Sequence, residues 1–206
     1  MRSADVLAAA GIVQGALGPL AGGDWSTPVP GLDFTVTTVV THLARCLVWY
    51  ATDLWVGPDD DSVLAVQVAA DPANGALLTT LGAAAQVCAA SVAAAPDTTR
   101  GFHPSGSPDP SGFAAMACDE LLVHGDDALR AFGMVLDVPP VLAGAVLARL
   151  FPWHDPGDDP WATLRWANGR LALPGRPDQQ GWRWRAAPLA EWDGRPPPPR
   201  PVPPHT

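Results

Sequence analysis

Residues 35–55 read TVTTVVTHLARCLVWYATDLW, a run with no proline or glycine that is closed by turn chemistry on both sides, Pro28, Pro30 and Gly31 before it and Gly57 with Pro58 after it. A stretch of this length with apolar residues recurring at helical spacing predicts one long helix. Three other stretches carry the same punctuation. MRSADVLAAAGIVQGALGPLAGG predicts a first helix from a Ser3 cap, residues 73–95 a third whose small residues permit close packing, and the region around DELLVHGDD (119–127) a fourth ending near Gly133. Shorter helical pieces follow at 139–151 and 159–169, the latter with Asp159 as cap and Pro160 in its first turn. Four long helices with short satellites imply an all-α four-helix bundle with short C-terminal helices and a Pro-rich tail. The segment 59–72, DDDSVLAVQVAADP, is short and β-branched enough that a strand stays open there, and 96–112 reads as a Pro/Gly loop.

Beyond Pro174 the pattern changes. Residues 1–175 are expected to form the helical domain and 176–206 a Trp/Pro-rich segment. Trp182, Trp184 and Trp192 are too many large aromatics to leave in water, so the part before Pro196 should dock on the bundle. The prolines from 196 to 204 read as a disordered polyproline end, with a PxxP ligand role as the alternative.

A hydrophobic content of 48% with 16% charged residues predicts a folded chain of 206 residues, and a net charge of −9 argues against nucleic acid or an anionic membrane as partner. All twelve basic residues are arginine, a usage associated with GC-rich bacterial genomes. Cys46, Cys88 and Cys118 are odd in number, scattered and set in helical patterns, which points to small buried hydrophobes in a reducing compartment, hence a cytoplasmic protein without a disulfide framework. Asp5 and Gln14 interrupt any apolar core of a signal peptide, and no apolar run is expected to reach the length of a membrane span.

The fourth helix poses the chemical question. At about 100° per residue, Phe113, Met116, Val123 and Ala128 share the direction of Glu120, and so do His124 and Asp127. The opposite side is mixed, with Leu122 and Leu129 beside Asp119 and Asp126. A carboxylate placed mid-stripe costs several kcal/mol unless it is paired, protonated or metal-bound. Glu120 and His124, spaced i, i+4, can share one ion, or they can form a hydrogen-bonded pair over a wet groove.

His42 on the second helix lies between a side carrying Thr38, Cys46, Trp49 and Asp53 and the apolar stripe of Val36, Val40, Leu43 and Leu47. Two His and one Glu make a recurrent ligand set for a catalytic divalent metal, with a fourth position left for water or substrate. Asp127, one turn beyond His124, is placed to hold a ligand or a bound water, and Cys46, one turn from His42, could fill the fourth position itself. His103 lies in the Pro/Gly loop at the edge of any pocket; His154 and His205 have no supporting pattern.

The segments WSTPVPGLDFTVTTVVTHL and ELLVHGDDALRAFG resemble the N-terminal metal-binding domain of mycothiol-dependent maleylpyruvate isomerase, within the DinB-like superfamily. There W-x-x-P-(T/S)-P-x-W-(T/S)-V and D-L-V-x-H-L precede E-L-x-x-H-x-W-D, and the likeness covers residues 1 to about 135. It implies a four-helix bundle that binds a divalent metal, usually zinc, through His42, Glu120 and His124, and that places a low-molecular-weight thiol such as mycothiol on it. Asp126 stands where the family usually has Trp, Leu32-Asp33-Phe34 where another Trp is usual, and the C-terminal region does not match the isomerase's second domain, which supplies a substrate-binding arginine. The resemblance therefore implies metal binding more firmly than maleylpyruvate as substrate.

Three functions follow. In the first, an enzyme, the metal lowers the pKa of a bound thiol or water and presents the anion to a small electrophile in a pocket walled by Trp49 and the His103 loop. The second is a non-catalytic metal-binding or interaction protein, and the third has no metal. A small-molecule substrate and a monomer or homodimer are expected.

Overall fold

A computed structural model describes residues 1–198 and is all-helical; no strand occurs among the described residues. Four long helices form the bundle: α1 (Ser3–Leu17), α2 (Val36–Val56), α3 (Asn74–Ala94) and α4 (Pro110–Arg130). α1 packs on α3 and α4, α2 packs on α3 and α4, and two shorter helices, α5 (Pro140–Leu150) and α6 (Pro160–Ala167), pair with each other and lean on α4. The core runs through all six, and α4 is buried on nearly every side.

The helix ends show why the chain breaks where it does. Thr35 caps α2 by accepting the Thr38 N–H, and Asp109 and Asp159 do the same for Gly112 and Ala162 at α4 and α6, each followed by a proline in the first turn. α4 therefore begins at Pro110, inside the expected 96–112 loop. It ends at Arg130, where Gly133 at φ +69° turns the chain and the Met134 N–H reaches back to the Leu129 carbonyl. At the N-terminus the expectation is corrected by one residue. Arg2, not Ser3, is the cap position, and its backbone N–H is held at 2.7 Å by the Asp5 carboxylate.

Residues 59–72 form no strand. They run as irregular chain along α2, tied to it by Ser62 N–H to Asp53, the Ser62–Thr52 hydroxyl pair and Trp49 Nε1 to the Leu64 carbonyl. Two segments, Ser3–Leu20 and Asn74–Ala94, are long and apolar enough by length and composition to cross a membrane, contrary to the sequence expectation. Both are runs of Ala, Leu and Val whose inward faces lie against neighbouring bundle helices.

The C-terminal segment holds to α4 and α5 through buried polar contacts. Arg149, 6% exposed, joins the Asp109 carboxylate at 2.7 Å and the carbonyls of Arg185, Ala186 and Ala187. Trp184 is buried and Trp182 packs on the core, whereas the Trp192 indole turns to the Arg195 carbonyl beside it. The end of the proline run and His205 lie outside the described residues.

Candidate metal centre

α2 and α4 bring three side chains 78 and 82 residues apart in sequence to one point. Glu120 Oε2 lies 3.1 Å from His42 Nε2 and 3.3 Å from His124 Nε2, and one ligand atom from each of the three falls within 4.8 Å of the others. Glu120 is 12% exposed, His124 21% and His42 46%, so the cluster opens toward His42. The two imidazoles meet edge to face with centroids 5.1 Å apart.

The proton inventory of this cluster leaves a gap between His124 and Glu120. His124 Nδ1 is 3.0 Å from Asp127 Oδ2, and a carboxylate oxygen only accepts, so Nδ1 carries the proton. In the neutral ring the Nε2 lone pair then faces Glu120 Oε2, one acceptor against another. Either an added proton or a shared cation must lie between them. Ligands at about 2.0–2.2 Å in tetrahedral array are about 3.3–3.6 Å apart; the His124–Glu120 separation of 3.3 Å meets this and the His42–Glu120 separation of 3.1 Å is slightly shorter. The donor set of two imidazoles and a carboxylate fits a divalent ion.

Around this point the packing fixes each orientation. Asp127, 1% exposed, accepts Arg170 Nε at 3.0 and 3.1 Å, so the residue that orients His124 is itself held from beyond α6. Tyr50 donates to Glu120 Oε1 at 3.4 Å. Burial pushes the Glu120 carboxyl up, but the His42 hydrogen bond and the fields of His124, His42 and His103 outweigh it and hold the group below its ordinary value. Cys46 stands apart from the cluster of ligand atoms; it hydrogen-bonds Tyr50, and burial and then the Glu120 charge push its thiol well above the ordinary value.

His103 arrives by the loop. Gly101 packs against the backbone of Asp53 and Leu54, where a Cβ has no room, and a tight turn to Gly106 follows. His103 Nδ1 accepts the Ser105 N–H, and the ring lies between Tyr50 and Trp184 at centroid distances of 6.0 and 5.5 Å. Trp49, Cys46, Tyr50 and His103 thus wall a cavity of about 320 Å³ that His42 and Glu120 also line. A second cavity, about 280 Å³, opens on the other side of His42 and His124.

His154 is elsewhere, within 6.1 Å of the rings of Phe151, Trp153 and Trp166, with burial and then Arg176 pushing its imidazole down to about 4. Two residues of the site escaped the sequence reading. Tyr50 follows Cys46 by four residues on the same helix face, a spacing that could have pointed to it; Arg170 comes from a distant turn and has no local signal.

No curated protein and no solved structure matches the chain. The mycothiol maleylpyruvate isomerase N-terminal domain does match, over residues 6–129, which spans α1 to nearly the end of α4 and contains the whole His/Glu cluster. Matched over more than half its length, the chain belongs to the mycothiol maleylpyruvate isomerase N-terminal domain family, a mycothiol-related, DinB-like metal-binding domain.

Proposed function

We propose that the protein is a thiol-dependent transferase or isomerase in which His42, Glu120 and His124 hold one divalent ion, with zinc the first candidate, and a low-molecular-weight thiol of the mycothiol type is presented to a small electrophile. The observation that carries this is the single Glu120 oxygen shared by two ring nitrogens, with one cavity against His42 and Glu120 and another against His42 and His124. Structural zinc sites close with four protein ligands, whereas a set of three leaves a position for an exogenous donor. The ion, when bound, supplies a thiol that is ionised near neutral pH.

The chain's own residues do the rest. Asp127 keeps the His124 proton on Nδ1, and Arg170 keeps Asp127 in place. Trp49, Tyr50 and His103 give the reacting end an aromatic wall that restricts water. As to organisation, 1–175 is the metal-binding domain and 176–206 a segment appended to it. A cytoplasmic setting, with a small-molecule substrate and neither nucleic acid nor membrane as partner, accords with three free, buried cysteines and an acidic chain.

Cobalt substitution tests the reading, because thiolate bound to cobalt gives a charge-transfer band in the near ultraviolet that water does not. Wild type and Cys46→Ser, loaded with cobalt, are compared with and without a low-molecular-weight thiol. We expect a band that needs the added thiol, survives Cys46→Ser, and vanishes with the metal in His124→Ala. A band present without thiol and lost in Cys46→Ser means a closed site and a non-catalytic metal-binding protein.

A further inference from the structure

The His/Glu cluster separates two cavities of opposite electrical character. The one behind Trp49 and His103 is also lined by Asp53 and Asp61, so it repels an anion. The other is lined by Phe34, Thr38, Val39, Thr41 and Arg45 together with His42 and His124, and no carboxylate lines it. Arg45 is three residues beyond His42 on α2, hence on a neighbouring face of the helix. Its guanidinium lies over the Trp49 ring, 4.9 Å from the centroid. Its Nε is buried with no hydrogen-bond partner, and among the described residues Arg45 makes no ion pair.

Arg165, Arg183 and Arg185 also hold a buried Nε without a partner, but Arg165 reaches the Asp126 carboxylate and Arg183 and Arg185 donate from Nη2 to the carbonyls of Pro104 and Pro188. Arg45 has neither kind of contact among the described residues, and it lines a cavity. A buried donor left unpartnered is costly, and here it belongs to a side chain that lines one cavity with His42 and His124. Stacking on Trp49 fixes the plane of a guanidinium whose fork matches a carboxylate in a bidentate pair.

We propose that Arg45 is the anion-recognition residue of this site, taking the carboxylate of a small ligand whose reacting end lies at His42 and His124. The inference rests on the open-metal reading given above. Phe34 and Val39 supply an apolar wall for the carbon skeleton, Thr38 and Thr41 hydroxyls for its polar atoms. The cavity is smaller than the roughly 300–1,000 Å³ of sites for drug-sized molecules, so the ligand is small. Asp53 and Asp61 repel the carboxylate from the other cavity, and this orients the molecule.

The test uses the cobalt-loaded full chain and two thiols of one shape, 3-mercaptopropionate and 3-mercaptopropionamide, read by the thiolate–cobalt band. Wild type is expected to bind the acid about ten-fold more tightly than the amide, the size of one charge-assisted hydrogen bond. Arg45→Met, which keeps the apolar stem over Trp49, should bind both alike, with cobalt stoichiometry and amide affinity as in wild type; Arg45→Lys should recover part of the preference. A ratio near one in wild type, or an undiminished ratio in Arg45→Met, overturns the proposal and leaves the metal reading standing.

If the amide gives no band in wild type, the open-metal reading falls, and a measurement without metal or thiol decides Arg45. The Nε–H resonance of Arg45 in the ¹⁵N-labelled, metal-free chain, identified by its loss in Arg45→Met, is followed while butyrate or butyramide is added. A saturable shift with butyrate alone supports anion recognition, and no shift refutes it. With a neutral thiol already on cobalt, butyrate that still binds places the anion on a second substrate; butyrate that is excluded places it on the thiol.

Discussion

Asp119 and Glu120 are neighbours on α4, both carboxylates in a buried helix, and they face different regions with different solutions. Asp119 turns to the C-terminal layer, where Asn168 Nδ2 donates to one oxygen at 2.9 Å and Trp184 Nε1 to the other at 3.0 Å. Glu120 turns to α2, where one oxygen meets two ring nitrogens, and His42, its partner there, lines two cavities. Asp126 repeats the first pattern, accepting the Leu136 N–H at 2.9 Å with Arg165 3.7 Å away. Donors that match acceptors one for one make a closed joint; the facing acceptors of Glu120 and His124 make a place for something else. The pairing of donors and acceptors, and not burial, separates the two regions of α4.

The largest expected effect lies in the closed region. Arg149→Met removes a buried guanidinium that joins the α4 cap to three carbonyls of the C-terminal segment and leaves Asp109 without its partner. Breaking such a pair costs about 3–5 kcal/mol, or roughly 10 °C in melting temperature for a chain this size. Zinc stoichiometry below the melting point should be unchanged. A melt like that of wild type would mean that the C-terminal layer contributes nothing to the bundle.

The next effect sharpens the contrast between neighbours, since their carboxyls are shifted in opposite directions. Burial, then the charge of Glu120, pushes the Asp119 carboxyl up to about 8 against the Asn168 and Trp184 hydrogen bonds. Between the ordinary carboxyl range and that value the folded protein holds a proton that the unfolded chain has lost. Stability of the metal-free protein should therefore fall as pH rises from 5 to 7, by at most about 1.4 kcal/mol per pH unit, and level off above about 8. Glu120 has a lowered value, so its contribution is lost only on acidification, outside this window. Chemical denaturation at several pH values should show a flatter slope for Asp119→Asn than for wild type; equal slopes would remove Asp119 as the source.

The bundle was legible because proline and glycine fall between long apolar runs, and the cap at Asp159 could be read from residue type alone. The His/Glu cluster was legible because two titratable groups one turn apart sat in an apolar stripe. The C-terminal layer was not: Arg149, Asn168 and Trp184 join α4 and its cap across 40 to 65 residues, and no periodicity encodes such pairing. The same reason hid the burial of Asp119 and Asp126, which look like a solvent face until the segment that covers them is in place.

Asp127 is the residue through which the two regions communicate, and its replacement gives the smallest and most discriminating effect. One of its oxygens holds His124 Nδ1 while both lie near Arg170 Nε, so it belongs to the closed layer and to the candidate centre at once. In Asp127→Asn the amide oxygen can still accept from Arg170, which preserves the joint. The same oxygen, at the position of Oδ2, can also accept from His124 Nδ1, but the carboxylate charge that makes the ring a stronger ligand is gone. Replacing such a partner typically weakens metal binding 10–100-fold, about 1.4–2.7 kcal/mol. We expect zinc affinity, measured by competition with a chromophoric chelator, to fall by that factor while the melting temperature of the metal-free protein changes little. Equal zinc affinity would show that the Asp127 charge does not strengthen His124 as a ligand, and a large loss of metal-free stability would assign Asp127 to the closed joint rather than to the centre.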